Sequence, residues 1–253
     1  MTRWHRLVVG LGAYLLALIA TAPATLVDAE LRRVSEGRLR LGDARGTLWS
    51  GSGQIELRDT GGKTGVSRDI SWRLVPQSLL HGNLAYGITL ERNNKQFPVT
   101  FSPTRIELGN AEIHLPAAVL GLGAPKLAPL GLTGDVLIRV AGFSFARGDM
   151  EGSATLHWHA AGSAFTKVSP LGDYEIRIDG TGKHINALLR TVEGPLQLDG
   201  KGSWSPGARP TFLGTAGVPP KYEQQLAPLL RLIAVERGAG SFELNSNMTA
   251  FGP

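Results

Sequence analysis

The residues best suited to chemistry are two histidines, His157 and His159, placed either side of Trp158. On a strand alternate side chains point the same way, so both imidazoles would share a face with Thr155 and could begin a metal site. Such a site needs a third ligand, and His81, His114 and His184 stand at no matching spacing. Gly62-Lys63-Thr64 ends like a phosphate-binding loop, but the glycine that should open that loop falls at Leu57. No Gly-x-Ser-x-Gly string occurs, which removes one hydrolase signature. The absence of cysteine excludes thiol catalysis, thiolate metal sites and disulfides. Nothing singles out a pair of carboxylates for acid–base work. We therefore expect no catalytic, cofactor-binding or metal-binding residues.

The elements that would carry such groups are mostly strands. Apolar residues alternate with polar ones through Leu84/Tyr86/Ile88/Leu90, Val136/Ile138/Val140, Leu156/Trp158 and Tyr174/Ile176/Ile178. Shorter runs include Ile55/Leu57, Trp72/Leu74, Ile106/Leu108, Ile113/Leu115, Leu196/Leu198 and Phe242/Leu244. Period two is the pattern of antiparallel sheet with one apolar and one wet face, and this template gives about a dozen strands. Turn signals at Asn93-Asn94, Asp179-Gly180, Asp199-Gly200 and Ser205-Pro206-Gly207 separate the runs. The fold class expected is mainly β, a large curved antiparallel sheet closed as a barrel, packed as a sandwich or left as a groove. Helix is expected in Pro219–Arg237, with Pro228 kinking or splitting it, and in the shorter Pro116–Leu122. The order Trp, Pro, Leu, Gly, Tyr, Ile, helix recurs from Trp72 and from Trp158, which allows two weak repeats with a seam near 124–132.

The N-terminus differs from everything after it. Arg3, His5 and Arg6 precede an uncharged run of 21 residues, Leu7 to Val27. As one helix it would extend ~30 Å, the thickness of a bilayer core. Arginines before the run keep the N-terminus cytoplasmic. The expected organisation is a cytoplasmic segment 1–6, a transmembrane anchor 7–27 and an exported β domain 28–253. The rival is a cleaved signal peptide, since Ala22-Pro23-Ala24 has the small-x-small form of a cleavage site. Without residues 1–27 the remainder still suffices for a core without disulfides. The net charge of +5 is mild. Arg32, Arg33, Arg38, Arg40 and Arg45 are interleaved with Asp28, Glu30, Glu36 and Asp43, a solvated or headgroup-adjacent face. No basic stripe with interleaved aromatics occurs, which argues against nucleic acid.

The most distinctive string is Gly46-Thr47-Leu48-Trp49-Ser50-Gly51. Physically it reads as a turn glycine, a short strand with a large aromatic buried on it, and a glycine permitting close packing. It also resembles the type II secretion system protein N family, whose members carry an inner-membrane anchor and a similar string early in the exported part. Further matches are Ser71-Trp72-Arg73-Leu74 leading to Leu79-Leu80, Gly152-Ser153-Ala154-Thr155-Leu156, Ser169-Pro170-Leu171-Gly172-Asp173-Tyr174 and Gly194-Pro195-Leu196-Gln197-Leu198. The resemblance implies a single-pass inner-membrane protein with its bulk in the periplasm, a non-catalytic part of the machine that exports folded periplasmic proteins. It implies partners among the inner-membrane platform and the secretin, and the Asn247-Met248-Thr249 sequon would mean nothing there. A second function class is a lipid-handling groove resembling the AsmA-like group, with lipid lying on the apolar face. The discriminating feature is what covers that face.

Overall fold

The computed structural model describes residues 3–58, 65–90, 95–123, 127–205, 208, 211–238 and 241–244. The Asn93-Asn94 turn, Gly62-Lys63-Thr64, Asn247-Met248-Thr249, Pro206-Gly207 and residues 124–126 of the expected seam lie outside them. The alternating runs fold as antiparallel strands with few helices, and the chain forms two compact units, Met1–Asn93 and Asn94–Pro253.

The first unit begins with helices α1 (Arg3–Ala20) and α2 (Thr25–Val34). It continues as a meander of β1 (Leu39–Gly46), β2 (Ser50–Arg58), β3 (Gly65–Leu74) and β4 (Leu84–Leu90), paired in chain order. A six-residue 3₁₀ turn, Pro76–His81, joins β3 to β4. Ala24, Leu41 and Trp72 form the small core, with Val27 and Leu31 of α2 packed against it.

The uncharged run Leu7–Val27 does not form the expected transmembrane helix. Among the described residues no helix is long and apolar enough to cross a membrane. The uncharged run is cut at Thr21–Ala24, where Pro23 bridges to Thr47 and Ala24 is buried in the core. Proline offers no amide to continue the helical ladder. The uncharged part left in α1 is Leu7–Ala20, ~21 Å of helix where a bilayer core needs ~30 Å. Val27 belongs to α2, not to the apolar helix.

That second helix occupies part of the segment expected to be a solvated charged face. Val27 and Leu31 stand one turn apart on its apolar side, and Asp28 pairs with Arg32 one turn on. Its position has a purpose in the sheet, because β1 is an edge strand whose outward amides need acceptors. Asp28 Oδ1 accepts the Leu41 amide at 2.8 Å, and Ser35 Oγ accepts the Leu39 amide at 2.9 Å. The first of these bonds, together with Arg32, holds the Asp28 carboxyl below the ordinary aspartate range, Arg32 being the larger cause.

The second unit is a single antiparallel sheet. Its strands are β5 (Phe97–Phe101), β6 (Ile106–Leu108), β7 (Ala111–Pro116), β8 (Leu132–Ala146), β9 (Asp149–Ser163) and β10 (Gly172–Gly182). They continue as β11 (His184–Glu193), β12 (Gln197–Trp204), β13 (Thr211–Gly217), β14 (Ala234–Gly238) and β15 (Ser241–Leu244). Neighbours follow chain order from β8 to β13, after which β15 precedes β14. The 15-residue β8 is long enough to pair with β6 at Phe143–Phe145 and with β7 at Asp135–Val140.

Among the described residues this unit carries two α-helices, α3 (Ala118–Gly123) and α4 (Pro220–Ile233). Pro220 opens α4, where a missing amide costs nothing. Pro228 lies inside it but does not split it, because Leu226, Leu229 and Leu230 on either side are buried on the sheet and hold both halves in line. The expected helix runs too far, since Ala234–Gly238 is strand β14. The core gathers Leu171, Leu196, Ala216 and Phe242 against α4.

Candidate functional site

The six residues Gly46–Gly51 form the β1–β2 hairpin turn of the first unit, and their geometry is that of a clamp. The Thr47 amide donates to Ser50 O at 2.9 Å, while Thr47 Oγ1 accepts the Trp49 and Ser50 amides at 3.3 and 3.2 Å. These bonds fix the turn from within. Its outward groups then grip the junction between α1 and α2. The Trp49 indole N–H donates to Ile19 O at 2.8 Å, and the Leu48 amide donates to Ala22 O at 2.8 Å. In return the Ala24 amide donates to Gly46 O at 3.2 Å. The last carbonyls of a helix have no partner within it, so the hairpin supplies donors where α1 ends.

The clamp is backed by Trp72 of β3. Its indole N–H is shared between Thr47 O at 3.2 Å and Leu48 O at 3.1 Å, and its rings are buried with Ala24 and Leu41. Gly51 makes room for it. A Cβ there would stand 2.5 Å from Trp72 Cζ2 and 2.6 Å from Arg45 O. Gly46 adopts φ +91°, a left-handed conformation that only glycine takes without strain. The sequence therefore located both glycines by role but misplaced the aromatic. Trp49 is half-buried in a turn, and the buried strand tryptophan is Trp72. Ile19, Ala22 and Ala24 were not legible as partners, because carbonyl and amide contacts leave no mark on residue type.

The histidine pair lies beside carboxylates of the neighbouring strand. His157 and His159 do share a face, with ring centroids 6.1 Å apart. Each faces a carboxylate of β10: His157 Nδ1 is 3.7 Å from Glu175 Oε2, and His159 Nδ1 is 3.2 Å from Asp173 Oδ2. Arg190 NH2 completes the first group, 2.8 Å from Glu175 Oε1, and lowers the Glu175 carboxyl below the usual range. Among the described residues no cluster of three histidine or acidic side chains is arranged for a metal ion. His81 approaches Gln77 O, His114 approaches Glu112, and His184 bonds Ser205 Oγ at 2.9 Å. On the opposite face Trp158 Nε1 donates to Thr133 O at 2.9 Å. The Tyr174 hydroxyl donates to Leu196 O at 2.8 Å, and burial pushes its pKa far up.

The description of type II secretion system (T2SS), protein N, fits residues 37–245, which run from the start of β1 through the last strand and include the clamp. The chain belongs to the type II secretion system protein N family. No curated protein and no solved structure matches it. Membership makes this a component of type II secretion in the cell envelope, consistent with a protein that does no catalysis. In this family member, the Gly46–Gly51 string joins the N-terminal helices to the sheet.

Proposed function

We propose that the protein is a non-catalytic scaffold of the type II secretion machine, attached to the inner membrane through α1, with its two β units in the periplasm. The observation that carries this reading is the clamp. Most of α1 is apolar and exposed, including Val8, Val9, Tyr14 and Leu16, so it needs an apolar surrounding that the strands of its own unit do not provide. Its end is bonded at Ile19, Ala22 and Ala24 to the hairpin, so membrane attachment and sheet form one coupled element. Partners are the inner-membrane platform and the secretin. Strand addition at β1 is blocked by α2 at Leu39 and Leu41, and the contact edge assigned to the machine is β14, the other end of the strand order, with its exposed Val235. Photo-crosslinking from positions along β14 in cells tests this. Adducts with secretion components are expected, and capture of none of them would sink the scaffold reading.

A second reading, lipid handling, is favoured by the uneven cover of the apolar face in the second unit. In the row Val136–Trp158–Tyr174, Val136 and Tyr174 are buried, and the Tyr174 hydroxyl reaches Leu196 of the core that packs on α4. The next row, Ile138–Leu156–Ile176–Leu189, is only half-buried throughout. A photoreactive residue at Ile176 would capture phospholipid in cells if this row carries lipid, and a lipid-free result would remove the reading.

A further inference from the structure

The clamp end of the first unit presents a second apolar feature that neither the core nor the clamp uses. Antiparallel pairing puts the end of β1, the start of β2, the end of β3 and the start of β4 at one end of the sheet. The 3₁₀ turn Pro76–His81 lies there, since the Leu74 amide donates to Trp49 O at 2.7 Å just before it. The turn is firmly built. Ser78 Oγ donates to Val75 O at 2.7 Å and accepts the Ala85 amide at 3.0 Å, and Gly82 closes the turn at φ +71°. Yet it holds Leu80 at 86% exposure and Leu79 at 48%, beside exposed Val75. A rigid turn that points two leucines outward spends order on exposing apolar surface, which marks an interaction site.

The charge around this turn names the partner. No carboxylate occurs between Ala44 and Ile55 or between Ile70 and Leu90. Arg45 and Arg73 lie in those stretches, both exposed, and neither pairs with an acid among the described residues. Exposed leucines, unpaired arginines and a half-buried tryptophan match a bilayer surface with anionic headgroups. The turn is also continuous, through Trp49, with the end of the exposed apolar helix α1. We propose that this end of the four-stranded sheet rests on the membrane, with Leu79 and Leu80 among the headgroups and Arg45 and Arg73 against anionic lipid phosphates. This rests on the attachment of α1 to the membrane. It makes the first unit a two-point membrane module whose strands stand at a set angle to the bilayer.

The chain has no cysteine, so single labels are clean. Full-length protein carrying Leu80→Cys, Leu15→Cys or Ser67→Cys, each labelled with an environment-sensitive dye, would be reconstituted into vesicles of phosphatidylethanolamine and phosphatidylglycerol. Ser67 is the control, exposed near the opposite end of β3. Shallow spin-labelled lipid should quench the Leu80 label strongly and the Ser67 label little. Replacing phosphatidylglycerol by phosphatidylcholine, or combining Leu80→Cys with Arg73→Glu, should lower the docked-to-undocked ratio by roughly fivefold for each arginine that no longer meets an anionic phosphate. If the Leu15 label is quenched while the Leu80 label behaves like Ser67, the docking proposal is overturned and α1 attachment stands. If neither is quenched, both are overturned. Quenching of Leu80 alone removes α1 as the attachment and overturns the two-point module. Leu80 is exposed, so the label does not enter the fold.

Discussion

Gly51→Ala is the sharpest test of the clamp. Gly51 is not at positive φ, so backbone preference alone makes alanine acceptable there. The difficulty is space, because the new methyl would stand 2.5 Å from Trp72 Cζ2 on one side and 2.6 Å from Arg45 O on the other. Trp72 cannot simply retreat, since its indole N–H holds Thr47 O and Leu48 O and its rings fill the small core. Overpacking of this kind costs about 1–3 kcal/mol, and losing the indole bond adds about 1 kcal/mol, giving about 2–4 kcal/mol in all. Gly82→Ala is the matched control. It sits at φ +71° with nothing within 4 Å of a new Cβ, so it carries only the left-handed penalty of about 1–2 kcal/mol.

The assay is native-state hydrogen exchange of the β2 and β3 amides, which reads opening of the first unit and does not depend on tryptophan as a probe. Gly51→Ala should lower protection more than Gly82→Ala does, although only Gly82 has the unusual backbone. A double-mutant cycle identifies the cause: in a Trp72→Phe background the cost of Gly51→Ala should fall by about 1–2 kcal/mol, because the offending ring atoms are gone. Equal effects of the two glycine substitutions, or strict additivity with Trp72→Phe, would refute the close-packing argument.

Other expectations follow from the same contacts. Trp49→Phe removes the donor to Ile19 O but keeps an aromatic ring, so global stability should change by less than about 1 kcal/mol while limited proteolysis near residues 20–24 speeds up. Asp28→Ala strips the acceptor from the Leu41 edge amide and should cost about 1–3 kcal/mol, with Asp28→Asn costing less. Because the Asp28 carboxyl is held low, its contribution is present above the unfolded aspartate range and lost as pH falls through the folded value; denaturation at pH 7 and in acid should show the wild type converging on the variant. Tyr174 behaves oppositely. Its pKa is raised by burial, so its stabilisation is intact below the ordinary tyrosine value and declines as pH rises beyond it, a decline that Tyr174→Phe should flatten in alkaline unfolding curves.

Strand identity was legible because runs that alternate in sequence, such as Leu84–Leu90 and Tyr174–Ile178, do pair as antiparallel strands. The two histidines were correctly placed on one face for the same reason. Their carboxylate partners were not legible, since Glu175 and Asp173 reach them through β9–β10 register, a long-range fact. Helix α2 was hidden by charge. Its apolar side is only Val27 and Leu31 wide, too narrow to dominate a stretch rich in arginine and acid. The anchor was over-read by length alone, because Thr21–Ala24 is uncharged yet is held by the hairpin in a non-helical path. Hydropathy counts charge, and it does not register that Pro23 bridges to Thr47.

A string with no reactive side chain can still be tightly specified, and the clamp shows how. Gly46 is required by its backbone angle and Gly51 by the tryptophan ring beside it. Thr47 closes the turn with its hydroxyl, and Trp49 needs an indole N–H to reach Ile19 O. Ser50 and Leu48 contribute mainly through backbone groups, so their side chains should tolerate exchange. The string is therefore four side-chain requirements separated by two permissive positions. That ordering predicts that Leu48→Ala leaves the α1 junction intact, whereas Thr47→Val loosens it by removing the acceptor of two amides at a cost of about 1–3 kcal/mol. Comparing hydrogen exchange of the turn amides in the two variants decides the matter. Equal loosening would mean that the string acts through apolar bulk and not through the bonds that tie the helix end to the sheet.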